Sequence, residues 1–361
     1  MRLFITLSPT GGITVITRLE IENFIELVER GVPVIDTRSP AEYAQGHLPG
    51  SINMPLFNNE ERAEIGTLYK QAGKQAAVMR GLEIAGPSLR CFVEQAAGLS
   101  KKGEIALLCW RGGMRSGAMA WLYDTAGIDH IYVLNGGYKR FRQSVIQSFE
   151  QPFHKVLVSG KTGTGKTLIL YKLEDLGAQV IDLEKLAHHK GSAFGGIGEP
   201  PQPTNEHFEN RLFMAMRLLD REKLVWIEDE SRHIGRIKLP DAFFNEIRKG
   251  KTYFIEVPEE YRICRLVNDY AQSGDNMLAE AIGRIERKLG GLQTKLCLEA
   301  LAQKKYETVA ELLLRHYYDK LYTNLIQKRL PSTVHHLRLS DADPLKIATH
   351  LLALENVEKQ T

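Results

Sequence analysis

The stretch GKTGTGKT, Gly160–Thr167, constrains the fold of this chain more than any other segment. It fits the pattern G-x-x-x-x-G-K-[ST] without a mismatch, follows the apolar run KVLVSG, and opens a helical pattern at about Lys166. In that context the loop amides face phosphate oxygens, the lysine reaches the terminal phosphates, and the Thr167 hydroxyl can bind Mg²⁺. We therefore predict a P-loop that binds a di- or triphosphate, and it comprises Gly160, Lys161, Thr162, Gly163, Thr164, Gly165, Lys166 and Thr167.

A second glycine-rich turn, CWRGGMRSG, follows the predicted strand IALLCW. The backbone N–H groups of such a turn converge on an anion, and a helix predicted to start near Ser116 adds partial positive charge. Arg111 and Arg115 add full charges, so the site favours a thiolate, which is the nucleophilic form of cysteine. We predict that Cys109 is catalytic, and that an oxyanion is bound by Arg111, Gly112, Gly113, Arg115 and Ser116. The alternative is a cysteine that only packs at a strand end, which is our interpretation of Cys91, Cys264 and Cys297.

Predicted strands and helices alternate in the first half of the chain, which indicates a parallel sheet flanked by helices. The strands are VPVIDTR, IALLCW and HIYVLNGG, and helical patterns cover residues 19–31 and 116–127. We predict an α/β domain over residues 17–150 and assign no role to residues 1–16.

The alternation restarts near residue 151 with KVLVSG, and the further strands are QVIDL, LVWIED and TYFIEV. After Pro258 the pattern is helical to about residue 330. We predict a P-loop α/β domain over residues 151–361, with a helical extension from about residue 258.

The composition argues against several classes of protein. A net charge of +3 excludes a strongly basic nucleic-acid-binding tail, although residues 262–329 carry twelve Lys and Arg against eight Asp and Glu. The four cysteines show no CxxC spacing, which argues against a disulfide framework or a structural zinc site. The N-terminal stretch MRLFITLSPTGG is interrupted by polar and glycine residues, and we expect neither a signal peptide nor a membrane span. We expect a cytoplasmic protein with reduced thiols.

Several residues near the predicted P-loop have two interpretations. A P-loop kinase or ATPase requires an acidic residue on a second strand to bind its metal, and the candidates are Asp182, Glu228, Asp229 and Glu230. Any one of them could instead be a solvated strand end. The loop HHKGSAFG, which contains Ser192, is either a lid over the diphosphate or a connector. Ser231 and Arg232 follow the acidic residues, and Arg232 contacts pyrophosphate or forms a surface salt bridge.

The first half of the chain resembles rhodanese domains. The resemblance lies in VIDTRSPAEYAQGHLPGSINMPL (Val34–Leu56), the C-x5-R loop from Cys109, and LNGGY (Leu134–Tyr138). It implies that Cys109 takes a sulfur or selenium atom, which the loop amides then stabilise. For Asp36 and Arg38 we favour a role in tying loops together over a direct role in catalysis.

The combination with a P-loop domain resembles the bacterial tRNA 2-selenouridine synthase family. Further segments that carry this resemblance are FNNEERAEIGTLYKQAG, DLEKLAHHKGSAFG, EDESRHIG and, more weakly, HYYDKLY. The resemblance implies a tRNA substrate with 2-thiouridine at the wobble position. It further implies S-geranylation by geranyl diphosphate bound at the P-loop, followed by selenium transfer from selenophosphate. No tightly bound cofactor is expected, and an enzyme that supplies selenophosphate is an expected partner.

The resemblance also gives the helical extension a task, since its cations could neutralise tRNA phosphates. The candidates are Arg262, Arg265, Arg284, Arg287, Lys288, Lys304, Lys305 and Arg315. A charged helix face is usually only solvated, and we favour that interpretation for each of these residues taken alone. Tyr317, Tyr318 and Tyr322 either stack on a base or pack into a core. Two other functions stay open: a thiosulfate sulfurtransferase with a regulatory nucleotide-binding module, and a P-loop kinase or ATPase whose first domain binds a partner.

Overall fold

The computed structural model of the chain describes the backbone of residues 3–7, 13–100, 102–320 and 333–358, with side chains from residue 16 to residue 357 within those ranges. Among the helices in these ranges, none is both long enough and apolar enough to cross a membrane.

The chain divides into two compact units, an N-terminal unit of Met1–Ser148 and a C-terminal unit of Phe149–Thr361. The described part of each unit contains one main, largely parallel sheet and several helices. The α/β fold class predicted from the alternating pattern is therefore confirmed.

The strands of the N-terminal unit form a single six-stranded sheet within the described residues. They are β1 (Leu3–Leu7), β2 (Ile13–Leu19), β3 (Val34–Asp36), β4 (Ile52–Asn53), β5 (Glu104–Leu108) and β6 (His130–Leu134). The strand order is β1-β2-β6-β5-β3-β4, and all neighbouring pairs are parallel except β1 with β2. The central strand β5 is buried along Ile105–Leu108, as an inner parallel strand should be.

The helices of this unit lie between and after the strands. They are α1 (Ile21–Glu29), α2 (Pro40–Gln45), α3 (Asn59–Gln71), α4 (Gly73–Ala85), α5 (Leu89–Leu99), α6 (Met114–Thr125) and α7 (Gly137–Ser148). Met119 and Tyr123 of α6 share a buried apolar cluster with Ile105 and Leu107 of β5. This packing fixes the start of α6 beside the end of β5, where the cysteine loop lies.

Two features of this unit differ from the sequence analysis. No role was assigned to residues 1–16, yet β2 begins at Ile13 and pairs in parallel with β6, so the sheet starts before residue 17. The helices α3, α4 and α5 between β4 and β5 were not predicted either. Helix α3 contains no buried residue, so its sequence lacks the apolar stripe by which an amphipathic helix is recognised.

The main sheet of the C-terminal unit has five strands within the described residues and is entirely parallel, in the order β13-β12-β7-β9-β8. Its strands are β7 (Lys155–Gly160), β8 (Gln179–Ile181), β9 (Val225–Glu228), β12 (Lys251–Glu256) and β13 (Val334–Arg338), and a separate antiparallel hairpin consists of β10 (His233–Ile234) and β11 (Ile237–Lys238). Because parallel strands end at the same edge, Gly160, Asp182 and Glu228 lie along one side of the sheet.

The helices of the C-terminal unit include the predicted helical part after Pro258, which is confirmed as far as residue 320. They are α8 (Lys166–Asp175), α9 (Leu183–Ala187), α10 (Asn205–Arg217), α11 (Asp241–Ile247), α12 (Glu259–Tyr270), α13 (Asp275–Leu289), α14 (Gly291–Ala302), α15 (Tyr306–Leu313) and α16 (Pro344–Glu358). Helix α15 continues as a π-helical turn over Leu314–Tyr318. Strand β13 and helix α16 were not predicted.

Candidate functional site

The cysteine loop of the N-terminal unit begins directly after β5. Cys109 is 3% exposed, and the buried hydroxyl of Ser116 donates a hydrogen bond to its Sγ at 3.2 Å. Ser116 lies in the first turn of α6, so the strand and the helix together fix the position of the sulfur. A hydroxyl donor stabilises negative charge on the atom that accepts its hydrogen bond.

The cysteine loop is locked against the LNGGY segment. Gly112 and Gly137 have φ angles of 61° and 58°, in the left-handed region. A Cβ on Gly112 would lie 2.2 Å from the carbonyl oxygen of Leu134, and one on Gly137 would lie 2.1 Å from that of Cys109. The Tyr138 amide also donates to the Cys109 carbonyl at 2.8 Å. Both positions therefore require glycine, because two stretches of backbone touch there.

The two arginines of the cysteine loop differ in their surroundings. Arg115 donates to both carboxylate oxygens of Glu42, at 2.6 and 3.3 Å. Burial alone would raise the pKa of Glu42, but the hydrogen bond and charge of Arg115 lower it below its usual value. Arg111 is exposed and forms no ion pair with any described residue. Arg111 is thus the arginine of this loop whose charge faces solvent.

Asp36 and Arg38 form a buried ion pair, with Nη2 of Arg38 2.6 Å from Oδ2 of Asp36. Arg38 also donates to the Gly46 carbonyl at 2.8 Å, and its guanidinium lies 3.6 Å from the ring centre of Tyr138. The Asn53 side chain donates to the carbonyl oxygens of both members of the pair. These contacts connect four loop segments, which fits the tying role favoured from the sequence.

The predicted P-loop lies between β7 and α8 in the C-terminal unit. Gly163 and Gly165 have φ angles of 82° and 87°. The Lys166 Nζ lies 3.5 Å from the carbonyl oxygen of Gly160, across the loop. The Thr167 hydroxyl donates to Oε2 of Glu184 at 2.8 Å. Glu184, on α9, was not among the sequence candidates.

Two arginines of α12 hold the P-loop from outside. Nε of Arg262 donates to the carbonyl oxygen of Thr162 at 2.8 Å, and Nη1 of Arg265 donates to that of Thr164 at 2.5 Å. Arg262 is 4% exposed and is paired through its Nη2 with Asp319 at 2.5 Å. Burial lowers the pKa of Arg265. Both arginines donate hydrogen bonds inside the protein, which fits the alternative that they are not contacts to tRNA phosphates.

The acidic candidates have separate roles. Oδ2 of Asp229 accepts from the Ser159 hydroxyl at 2.6 Å, and its Oδ1 pairs with Arg248. Asp182 caps α9, where its Oδ1 accepts from the Lys185 amide at 2.7 Å. Each of these carboxylates has a structural partner at the edge of the sheet.

The remaining carboxylates form a buried acidic group beside the P-loop. Glu228 accepts from the Leu183 amide at 2.7 Å, and burial raises its pKa well above the usual value. Burial also raises the pKa of Glu184, although the charge of Lys166 and the Thr167 hydrogen bond oppose the shift. For Glu230, burial followed by the charge of Glu184 raises the pKa to about 8. Protonated carboxyl groups therefore persist here near neutral pH.

A cavity of about 300 Å³ opens over the P-loop. Its polar lining includes Lys166, Glu184 and Glu230, and the loop after α9 adds Lys190 and Ser192. That loop therefore lies at the rim of the P-loop cavity, as the lid interpretation requires. Within the described ranges, no group of three or more His, Cys, Asp and Glu side chains is arranged to hold a metal ion.

Comparison with known proteins supports the same division of the chain. A model of the tRNA 2-selenouridine synthase AAA domain matches residues 153–341, and a model of the rhodanese-like domain matches residues 20–144. The tRNA 2-selenouridine synthase of Nitrosomonas europaea is 34% identical over 361 residues, which cover 86% of this chain and 93% of that protein. This chain belongs to the tRNA 2-selenouridine synthase family. The synthase of Bdellovibrio bacteriovorus is 35% identical over 84% of this chain and 91% of that protein.

Two residues that the sequence places near the P-loop, Ser231 and Arg232, do not line its cavity. Ser231 donates to the His233 carbonyl at 2.5 Å, and Arg232 pairs with Asp241 and lies over the ring of Phe244 at 4.8 Å. The pairing of Arg232 with Asp241 therefore fits the surface salt bridge of the two interpretations.

For the tyrosines of HYYDKLY the sequence allows two roles, stacking on a base or packing into the core. Tyr317 and Tyr318 are 8% and 5% exposed and belong to the buried cluster of the helical part, so they pack into the core. Tyr322 lies outside the described residues. Arg315 pairs with Glu259 at 2.8 Å and with Glu311 at 2.5 Å.

Sequence reasoning missed the residues that support the two loops. Glu42, Glu184 and Asp319 each contact a predicted site residue through a side chain. His189 lines the P-loop cavity, and burial lowers its pKa. Glu42 and Asp319 could have been found only through the family segments that contain them, because no local pattern marks them.

Proposed function

We propose that this member of the tRNA 2-selenouridine synthase family converts wobble 2-thiouridine of tRNA into 2-selenouridine in two steps. In the first step, the thiouridine sulfur attacks C1 of geranyl diphosphate, a C–S bond forms, and the C–O bond to pyrophosphate breaks. In the second step, selenium from selenophosphate replaces the S-geranyl group at C2 of the base. The P-loop serves the first step and the cysteine loop serves the second.

The observation that carries the proposal is the state of the carboxylates around the P-loop. A P-loop kinase or ATPase needs a carboxylate at the end of a neighbouring strand to hold its Mg²⁺. Here Asp229, directly after the neighbouring strand β9, is held by Ser159 and Arg248. One oxygen of Glu228 accepts from the Leu183 amide, and burial raises the pKa of this carboxyl, which disfavours the ionised form that a metal needs. Pyrophosphate departure requires only that donors stabilise the developing charge, and the loop amides with Lys166 supply them. The geometry thus favours a departing pyrophosphate over ATP hydrolysis.

Mg²⁺ fits this P-loop as a companion of the diphosphate. Mg²⁺ usually takes one or two protein oxygens and completes its octahedron with waters and substrate phosphates. The Thr167 hydroxyl would be that protein ligand, and this hydroxyl donates a hydrogen bond to Glu184 at 2.8 Å. The cation would neutralise charge on the diphosphate.

The cysteine loop would act on the selenium donor. Cys109 is the catalytic group of this loop, and the loop amides with Arg111 bind the oxyanion of selenophosphate. Arg115, which is paired with Glu42, shapes the loop. Selenium in selenophosphate is already at the selenide level, so its exchange for the S-geranyl group needs no oxidant. The C2–Se bond forms as the C2–S bond breaks, and water takes the phosphoryl group from the Se–P bond, which releases phosphate. The geranyl thiolate leaves with the electron pair of the broken C–S bond.

The helical part offers exposed cations for tRNA phosphates. Arg284, Arg287 and Lys288 on α13 are exposed, as are Lys304 and Lys305 before α15. Neutralising backbone phosphates makes affinity fall steeply with salt concentration. Binding of tRNA should therefore weaken as salt rises, and charge-neutral substitutions on this face should reduce the slope.

The test is a two-stage incubation. Thiolated tRNA is mixed with the protein and geranyl diphosphate, then with selenophosphate, and the nucleosides are measured by mass spectrometry. The wobble nucleoside should first gain one geranyl group, and then lose the geranyl group and sulfur while gaining selenium. Unthiolated tRNA is the control and should stay unchanged. Thiocyanate formation from thiosulfate and cyanide without a tRNA product would favour a sulfurtransferase. Rapid phosphate release from ATP would favour a kinase or ATPase.

A further inference from the structure

A second cavity, of about 50 Å³, adjoins the P-loop cavity within the C-terminal unit. Its walls come from α12, α13, α15, the π-helical turn and the loop after α9, and are mostly apolar. The lining residues are Ser192, Phe194, Leu266, Val267, Tyr270, Ala271, Leu278, Tyr306, Val309, Ala310, Leu313 and Tyr318. Ser192, Leu266 and Tyr270 line both cavities, so the two spaces meet at these residues.

The character of this second cavity indicates what would be attached to a diphosphate at the P-loop. A nucleoside has a ribose and a base, whose polar edges need hydrogen-bond partners when they are buried. The cavity offers side chains such as Val309, Ala310 and Leu313, which have no polar atoms. Burial raises the pKa of Tyr270, at the junction, to about 12, in keeping with a dry passage. A hydrocarbon gains free energy by leaving water for such a space.

We propose that this cavity receives the distal end of the hydrocarbon chain of the diphosphate bound at the P-loop, and that Ala310 and Leu313 limit the length of that chain. This inference rests on the proposed function, in which the diphosphate carries a geranyl group. The proximal part of the chain would pass Leu266 and Tyr270. Lys190, whose Nζ lies 5.5 Å from the Tyr270 ring centre, stands on the diphosphate side of that passage.

The size of the cavity explains why it would act as a stop. An engineered apolar cavity of about 150 Å³ in another protein binds benzene. At about 50 Å³, this cavity has room for a few carbon atoms at the end of a chain, and the rest of the chain must lie in the larger cavity. A chain longer by one isoprene unit would have to displace the side chains of α15.

The π-helical turn connects this cavity to the P-loop. Tyr318, the last residue of the turn, lines the cavity. The next residue, Asp319, pairs with Arg262 at 2.5 Å and with Lys161 of the P-loop at 3.4 Å. Tyr318, which lines the cavity, and Asp319, which supports the P-loop, are thus adjacent residues of one segment. π-Helical turns are often found at functional sites.

The first test compares the affinity of the full-length protein for geranyl diphosphate and for inorganic pyrophosphate, which binds the P-loop without a chain. For the wild type we expect geranyl diphosphate to bind at least about 10-fold more tightly. Ala310→Leu fills the cavity and should reduce this ratio at least about 5-fold, while pyrophosphate affinity stays unchanged and shows that the variant is folded. Ala302→Leu makes the same change at an exposed position of α14 and should leave the ratio unaltered.

The second test enlarges the cavity. Leu313→Ala should increase the affinity for farnesyl diphosphate relative to geranyl diphosphate at least about 10-fold. A geranyl-to-pyrophosphate ratio that is the same in Ala310→Leu and the wild type would overturn the inference, as would an unchanged chain-length preference in Leu313→Ala with normal pyrophosphate affinity. Failure of the proposed function looks different: geranyl diphosphate would bind as described, but no geranyl group would reach tRNA.

Discussion

The cysteine loop and the P-loop are both glycine turns between a buried parallel strand and a helix, but different parts of the chain hold them. Direct backbone contact at Gly112 and Gly137 holds the cysteine loop, and Arg18 adds a hydrogen bond to the Gly112 carbonyl oxygen at 2.8 Å. Charged side chains hold the P-loop, since Arg262 and Arg265 bind its carbonyl oxygens from α12. Asp319, which completes the support, is 158 residues away from Lys161 in sequence.

This difference bears on how each loop can work. A loop held by backbone contacts keeps its shape regardless of ligand charge, which suits a site that must hold one sulfur atom beside its donors. A loop held by buried charges depends on each partner being present, because a buried charge without its partner is costly. The P-loop therefore depends on charged residues of the distant helical part, whereas the cysteine loop combines its backbone contacts with the Arg115–Glu42 pair.

The largest expected difference between the two loops is seen when Cys109 is replaced. We expect Cys109→Ser to reduce selenium incorporation into tRNA at least about 1,000-fold, because the nucleophile is lost, while geranylation continues. Mass spectrometry of the wobble nucleoside would show S-geranyl-2-thiouridine accumulating. Cys91→Ser, the same change at an exposed position, is the matched control. Selenium incorporation at the wild-type rate in Cys109→Ser would exclude a catalytic role.

The complementary change is Lys166→Ala. It removes the cation that reaches the terminal phosphates, so geranylation should fall about 100- to 1,000-fold. Selenation of tRNA that has already been geranylated should continue. Lys172→Ala, on the same helix and paired with Asp175 at the surface, should behave like the wild type. Intact geranylation in Lys166→Ala would mean that the diphosphate binds elsewhere.

The backbone contact in the cysteine loop is tested by Gly112→Ala. A Cβ there would lie 2.2 Å from the Leu134 carbonyl oxygen, and the φ of 61° is unfavourable for alanine. We expect the free energy of unfolding to fall by about 2–4 kcal/mol, measured by urea denaturation. Gly113→Ala is the control, since a Cβ there has no atom within 4 Å. Equal stability of the two variants would contradict the locked-loop description.

The smallest effect concerns the buried carboxyl group of Glu230 beside the P-loop. Its pKa is about 8 in the folded protein, against 4.5 as the ordinary value, so the folded state binds a proton that the unfolded state releases. The contribution of Glu230 to the free energy of unfolding is therefore fully present below pH 4.5, and this contribution is lost as the pH rises toward 8. Glu230→Gln should gain about 1–3 kcal/mol relative to the wild type between pH 5 and pH 8, measured by thermal unfolding. A difference that does not change with pH would show that Glu230 is ionised throughout.

The parts of the molecule that the sequence predicts are those with a local pattern. The strand before Gly160 and the helix after Lys166 follow from a short apolar run and a glycine turn, as does the position of Cys109. Helix α3 could not be recognised, because it buries no residue and so has no apolar stripe.

The parts that could not be predicted depend on contacts between distant residues. Glu42 and Arg115 are 73 residues apart, and Arg262 is 100 residues from Thr162. An arginine that binds a carbonyl oxygen and one that faces solvent look alike in a helical sequence. The sequence therefore cannot distinguish these roles for Arg262 and Arg265.

The pairing of Arg262 with Asp319 sets a lower limit on the size of a working fragment. Cutting the chain after α12 would leave the guanidinium of Arg262 beneath protein with no carboxylate opposite it. Removing one member of a buried ion pair typically costs about 3–5 kcal/mol, which is a large part of the stability of a small domain. A stable fragment that contains the P-loop should therefore extend past the π-helical turn, and a fragment bounded by the loop motif and its flanking elements alone would be too short.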